Sequence, residues 1–164
     1  IPSTGLRFFT VYGPWGRPDM ALFLFTKSIL EGKPIDVFNR GEMVRDFTYI
    51  DDVIESILRL INNPPKRGEF LKNKEINPSN SWAPHRVFNL GNANPTSLME
   101  FIEALEENLG KKAKKNFLPM QPGDVKETFA DTELLEEKIK YKPRTSVKDG
   151  IFNFVSWYRD FYKV

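Results

Sequence analysis

The segment Arg45-Asp-Phe-Thr-Tyr-Ile-Asp-Asp52 concentrates side chains that can do chemistry. Its polar and apolar residues alternate, as on a half-buried strand. An arginine at the mouth of such a strand offers a planar fork of donors to an anion, each charge-assisted contact being worth about 1.5–3 kcal/mol. Spacing alone favours a plainer arrangement, a surface ion pair of Arg45 with Asp46 or Asp52 that contributes about 0–1 kcal/mol. A second candidate is Asp124, in Phe117-Leu-Pro-Met-Gln-Pro-Gly-Asp-Val125. Pro122-Gly123 sets a turn that aims its carboxylate in a defined direction. That carboxylate either satisfies backbone N–H groups of the turn or accepts two O–H bonds from a diol. A third pair, Thr10 and Arg17, flanks the turns of Arg7-Phe-Phe-Thr-Val-Tyr-Gly-Pro-Trp-Gly-Arg-Pro-Asp-Met20. If a strand ends there, Thr10, Tyr12 and Arg17 lie where an open α/β sheet binds ligands, just beyond the carboxyl ends of its strands. Otherwise Thr10 is a buried strand residue and Arg17 a solvated loop charge.

The elements that must position these groups are legible as an α/β pattern. Gly5 to Val11 is an apolar run ending at Gly-Pro, suited to a buried parallel strand. Asp19 is placed to cap a helix from Met20 to Glu31, closed by Gly32. Ile35 to Phe38 and Val44 to Ile50 read as strands joined by a turn around Gly41, together a small sheet beside the main one. Asp51 or Asp52 caps the next helix, with Val53, Ile54, Ile57, Leu58 and Ile61 on one apolar face, ended by Pro64-Pro65. Lys66 to Arg86 is polar and aperiodic, an insertion or a flap near a ligand. Val87 to Leu90 is a short strand, and Leu98 to Leu109 a helix opened by Ser97 and Glu100 at capping-box spacing, or by Thr96, and closed by Gly110. Lys115 to Leu118 suggests an edge strand, Asp131 or Thr132 opens a short helix through Ile139, and Ser146 to Tyr162 is the last helix. Val147, Ile151, Phe154, Val155, Tyr158 and Tyr162 share one side of that helix.

Composition narrows the classes. The 164 residues suit one domain, and 14 Phe with 3 Trp supply a core. With 24 basic and 22 acidic side chains the net charge is +2, too small to steer a nucleic acid. Lys111-Lys112-Ala113-Lys114-Lys115 is a solvated run before a strand. No stretch of about 18 apolar residues predicts a membrane span. The sequence has no cysteine, hence no disulfide framework, which fits a cytoplasmic protein. His85 has no cysteine or second histidine at metal-ligand spacing. Nucleophile elbow, P-loop and G-x-G-x-x-G motifs are also missing. Ile1-Pro2-Ser3-Thr4 shows neither an initiator Met nor a signal core, so the chain reads as a piece of a longer polypeptide.

The run LRFFTVYGPWGRPDMALFLFTKSIL closely resembles the corresponding stretch of UDP-glucuronate 4-epimerases, NAD-dependent nucleotide-sugar epimerases of the extended short-chain dehydrogenase/reductase type. The resemblance covers nearly the whole chain but only the carboxyl-terminal half of such an enzyme. It implies a single substrate-binding domain over 1–164, comprising the last strands and helices of a Rossmann-like sheet and a small α/β subdomain, without the amino-terminal NAD-binding half. It implies that Arg45 contacts the pyrophosphate of a UDP-sugar and that Asp124, in PMQPGDV, approaches the ribose hydroxyls. Ile35 to Phe38 would contribute to the uridine pocket. Relatives that act on UDP-galactose carry an Arg in the segment held here by Met120-Gln121, so Arg45 is left with more of the phosphate charge. The matching Thr and Arg of the family hold the sugar carboxylate, the implied roles of Thr10 and Arg17. A 4-keto sugar with a C5 carboxylate is a β-keto acid, and fixing that carboxylate suppresses loss of carbon dioxide and selects a uronic acid. The family's Tyr-x-x-x-Lys pair is missing here, since no Lys follows Tyr158 at four residues. The chain alone is therefore expected to be inactive, with NAD and the homodimer contacts belonging to the other half. A neutral-sugar epimerase, a dehydratase or decarboxylase of the superfamily, and a non-catalytic nucleotide-sugar-binding module are the alternatives.

Overall fold

The computed structural model describes residues 1–69, 79 and 81–164. Six strands lie in parallel pairs, β1 (Ser3–Phe8) beside β5 (His85–Leu90), β2 (Thr10–Tyr12) beside β4 (Val44–Tyr49), and β3 (Pro34–Val37) beside β7 (Lys114–Phe117). A short strand, β6 (Pro95–Ser97), adds antiparallel to the start of β4. The helices are α1 (Ala21–Glu31), α2 (Ile50–Ile61), α3 (Leu98–Leu109), α4 (Glu133–Ile139) and α5 (Val147–Tyr162). Parallel strands need crossovers, and here the β2 to β4 crossover contains α1.

The predicted strand Gly5 to Val11 is in fact two. Phe8 is the last partner of Leu90, Phe9 N–H donates to Leu90 O at 3.1 Å, and Thr10 then begins pairing with Phe47. The chain changes partners at Phe9, so Thr10 lies just past the carboxyl end of β1. Nor do β3 and β4 form one small sheet. Between them Asn39, Arg40 and Gly41 have φ of 47°, 51° and 83°, and this left-handed turn sends the two strands to different partners.

The larger core lies between α1, α3, α5 and the β2–β4 pair. Phe47 stacks on Phe101 at 4.3 Å, and Tyr12 meets Phe47, Tyr49 and Phe101 edge-on. A smaller core joins Val53 and Leu60 of α2 to Phe88, Leu90, Leu135 and Ile139. The predicted apolar face of α2 is only partly used, because Ile54, Leu58 and Ile61 are exposed and Ser56 and Leu60 turn inward instead.

Helix ends separate good cap chemistry from mere spacing. Ser97 and Glu100 form the full capping box, and Ser146 caps α5 from Asp149 N–H. Gly32 and Gly110 close α1 and α3 in the left-handed conformation. Asp19 does not cap α1; Met20 occupies that position and Asp19 pairs with Arg17. Tyr49, not Asp51 or Asp52, is the first cap residue of α2. Asp52 instead accepts from Tyr141 Oη and, at 2.9 Å, from Thr145 N, tying α2 to the α4–α5 connection. The expected loop from Lys66 to Arg86 ends sooner, since β5 already begins at His85; its middle, 70–78 and 80, lies outside the described residues.

Candidate functional site

Where β1 and β5 end, three segments converge on the start of β4: Thr10, the turn after Leu90, and residues 124–130. Val44 pairs with Lys126 and Thr128 through backbone bonds of 3.0 and 3.2 Å, which brings the Gln121–Asp124 turn against Arg45. That turn has Gly123 at φ 82° and an Asp124 N to Gln121 O bond of 3.2 Å, as Pro122-Gly123 predicts.

Arg45 and Asp124 are in contact, Nη2 donating to Oδ1 at 2.8 Å. Arg45 Nη1 also donates to Val44 O and Lys126 O at 2.9 and 3.1 Å, and its side chain is only 16% exposed. The guanidinium is therefore held at Nη1 by two backbone carbonyls and at Nη2 by Asp124, whose carboxylate sits at the surface. The expected alternative partners of Arg45, Asp46 and Asp52, are engaged elsewhere. Asp124 Oδ1 accepts its own turn's Val125 N–H at 2.8 Å as well, the backbone contact that the turn-acceptor reading of that residue expects.

Asp46 is the residue that sequence reasoning missed. Its side chain is fully buried and accepts three backbone N–H groups, Asn92 at 2.9 Å and Ala93 and Ala130 at 3.0 Å each. Its own N–H donates to Thr128 Oγ1 at 3.2 Å. One carboxylate thus clamps β4, the turn after β5 and the segment that carries Asp124. Gly91 permits this, since a Cβ there would lie 2.3 Å from Ala130 Cβ and 3.2 Å from Asp46 Oδ2. The signal was available in the alternation: Arg45 outward obliges Asp46 inward, and an inward carboxylate must find donors.

Thr10 and Arg17 border one cavity of about 50 Å³ with Tyr12, Gly16 and Phe23. Arg17 is exposed and forms a two-point contact with Asp19, Nε to Oδ1 at 3.1 Å and Nη2 to Oδ2 at 2.5 Å. That contact raises the Arg17 pKa and lowers that of Asp19. Trp15, just before, has φ 60°, a left-handed conformation that costs a bulky residue about 1–2 kcal/mol. Tyr12 faces the core and donates to Ser146 O at 3.3 Å. Burial, with the nearby charges of Tyr49, Asp52 and Asp149, pushes its hydroxyl well above the ordinary range, so it is not a proton carrier near neutral pH. Phe38, half buried, starts the left-handed turn that runs beside the 117–127 segment, where Arg40 N donates to Leu118 O at 3.0 Å.

The arrangement offers a guanidinium beside a carboxylate at Arg45 and Asp124, and at Arg17 an exposed fork that already takes the Asp19 carboxylate at two points. Among the described residues no group of His, Asp or Glu side chains is arranged to hold a metal ion, and no helix is long and apolar enough to cross a membrane.

Residues 1–77 match the model of the NAD dependent epimerase/dehydratase family. The chain is 62% identical over its whole length to an uncharacterized 37.6 kDa protein of Escherichia coli O111:H-, covering 49% of that protein. It is 49% identical to a probable UDP-glucuronate 4-epimerase of Rhizobium meliloti, over 99% of this chain and 48% of the relative. Among solved structures, a UDP-glucuronic acid 4-epimerase from Bacillus cereus, in complex with UDP-glucuronic acid and NAD, superposes with a TM-score of 0.80. It is 36% identical over 99% of this chain and 46% of that one. The chain spans about half the length of the curated relatives it matches.

Proposed function

We propose that this chain, whose residues 1–77 match the NAD dependent epimerase/dehydratase family, is the UDP-sugar-holding part of a UDP-glucuronate 4-epimerase. The whole enzyme would interconvert UDP-glucuronate and UDP-galacturonate by NAD-dependent oxidation and reduction at C4. The observation that carries the reading is the Arg45–Asp124 contact, a largely buried cation and a surface carboxylate side by side at a braced turn. Arg45 supplies donors to the pyrophosphate, and Asp124, released from it, accepts the ribose hydroxyls. Arg17 and Thr10 take the uronate carboxylate at the other end. Holding that carboxylate keeps it from swinging perpendicular to a C4 ketone, the orientation in which the C5–C6 bond breaks and carbon dioxide leaves.

The described residues do not fit a dinucleotide by themselves. The cavity beside Thr10, at about 50 Å³, has room for a few waters and not for a dinucleotide. No glycine-rich phosphate turn opens a helix near it, α1 being opened by Met20. The hydride step therefore falls to groups outside those described, and what these residues do is bind and orient.

Calorimetric titration of the chain with UDP-glucuronate, UDP-glucose and UDP tests the reading. It predicts binding of all three through the nucleotide, with UDP-glucuronate tighter than UDP-glucose by roughly tenfold, the worth of one charge-assisted contact. Equal affinities for the two sugars would point to a neutral-sugar enzyme, and no binding of UDP would remove the nucleotide site altogether.

A further inference from the structure

We propose that Trp15 is a positioning residue for Arg17, acting through an aromatic clamp on the carboxyl-terminal helix. The inference rests on the uronate reading of Arg17 given above.

The turn between β2 and α1 is fixed at three points. Gly13, at φ 141°, is pressed on Ile50, where a Cβ would come within 2.6 Å of a side-chain carbon. Gly16 lies over Phe23, with 3.1 Å for the same built atom. Between them Trp15 holds φ 60°, where a large aromatic residue is an outlier. Outliers of this kind persist only where the surroundings over-determine them, and they gather at binding sites. Here the surroundings are rings. Trp15 lies 5.3 Å from Trp157 and 5.0 Å edge-on from Phe161, and these two stack on each other at 5.2 Å. Trp157 in turn meets Phe23 and Phe154, so the ladder runs from the exposed loop into the main core.

The residue itself is 74% exposed, so burying apolar area is a poor explanation for keeping a Trp there. Position is a better one. Arg17 follows Gly16 directly, and its guanidinium already takes a carboxylate, that of Asp19, at two points. A uronate arriving at the same fork exchanges one carboxylate for another with no change in the local charge balance, provided the loop presents the fork where the sugar ends. A clamp drawn from α5, more than 140 residues further along the chain, fixes that presentation.

The test measures the affinities of UDP and UDP-glucuronate for five forms of the chain: unmodified, Arg17→Ala, Trp15→Ala, Trp15→Phe and Phe161→Ala. The readout is the ratio of the two affinities, which a general loss of stability does not change selectively. A far-ultraviolet circular dichroism couplet from the Trp15–Trp157 pair reports the clamp itself. Arg17→Ala brings the ratio close to one. Trp15→Ala removes the couplet and lowers the ratio about fivefold, a group displaced rather than deleted, while UDP affinity holds; Trp15→Phe keeps most of the ratio. Phe161→Ala, which opens the clamp from the helix side, repeats the effect of Trp15→Ala. An unchanged ratio in both Trp15→Ala and Phe161→Ala, with the couplet gone, overturns the proposal, as does an equal loss of both ligands. If Arg17→Ala itself leaves the ratio unchanged, or UDP does not bind, the reading of the site fails first and the role of Trp15 falls with it.

Discussion

The two ends of the candidate site are built from opposite materials. At the Arg45 end a fully buried carboxylate, Asp46, draws three backbone N–H groups from two other segments onto β4, and the Arg45 guanidinium is itself bound to two backbone carbonyls. At the Arg17 end the turn is exposed from Trp15 to Met20, the guanidinium is paired with a neighbour two residues away, and rings rather than hydrogen bonds tie the loop to the core. Buried polar networks define one geometry because each unsatisfied member is costly, whereas an exposed ion pair exchanges partners at little cost. Under the proposed function, the difference would let the nucleotide stay anchored while the sugar end is released and turned.

The contrast can be broken most severely at Asp46. Replacing it with Ala leaves three buried N–H groups without acceptors and is expected to destabilise the chain by about 3–5 kcal/mol, read as a fall in the urea midpoint together with loss of UDP binding. Asp46→Asn keeps one acceptor and is expected to cost about 2 kcal/mol. A near-neutral Asp46→Ala would mean that the braced end is not braced.

Acid sharpens the comparison, because buried carboxylates belong to the scaffold and not to the Arg17 loop. Burial pushes the Glu106 carboxyl upward, but Lys112, Lys115 and Ala113 N–H outweigh it and hold the group at about 2, against an ordinary 4.5. A carboxyl depressed on folding lends stability that is complete above the unfolded value and is lost as pH falls from about 4.5 to about 2. The contribution is roughly 2–3 kcal/mol. Unfolding titrations of Glu106→Gln should lose that part of the acid slope and be less stable at neutral pH, leaving the UDP-glucuronate to UDP ratio unchanged.

Smaller effects follow at the site's surface. Arg45→Ala is expected to weaken UDP about tenfold, one charge-assisted contact, measured by calorimetry. Asp19→Asn, which frees an exposed guanidinium, should barely move the midpoint of thermal melts. A larger change would show the Arg17 loop to be scaffold after all.

Much of this was legible in the residues. The capping box at Ser97 and Glu100, the left-handed closures at Gly32 and Gly110, and the Pro122-Gly123 turn all have local causes, and the structure bears them out. Thr10, Arg17, Phe38, Arg45 and Asp124 were singled out as binding residues, and the structure brings Arg45 to Asp124 and sets Thr10 and Arg17 on one cavity. What escaped depends on distant partners. Nothing local at Phe9 tells that the strand changes sheets, because Leu90 and Phe47 decide it. Asp19 and Asp52 sit at cap spacing yet find other partners, Arg17 for the first and Tyr141 with Thr145 for the second. The acceptor role of Asp46 needs Ala130, 84 residues away, and the clamp on Trp15 needs α5.

The measurement that tests the division most directly is the affinity of UDP and of UDP-glucuronate for Arg45→Ala and for Arg17→Ala, each against the unmodified chain. The account predicts that Arg45→Ala weakens both ligands alike and that Arg17→Ala weakens UDP-glucuronate alone. An Arg17→Ala chain that loses UDP as strongly as UDP-glucuronate, or an Arg45→Ala chain that keeps UDP, would contradict it.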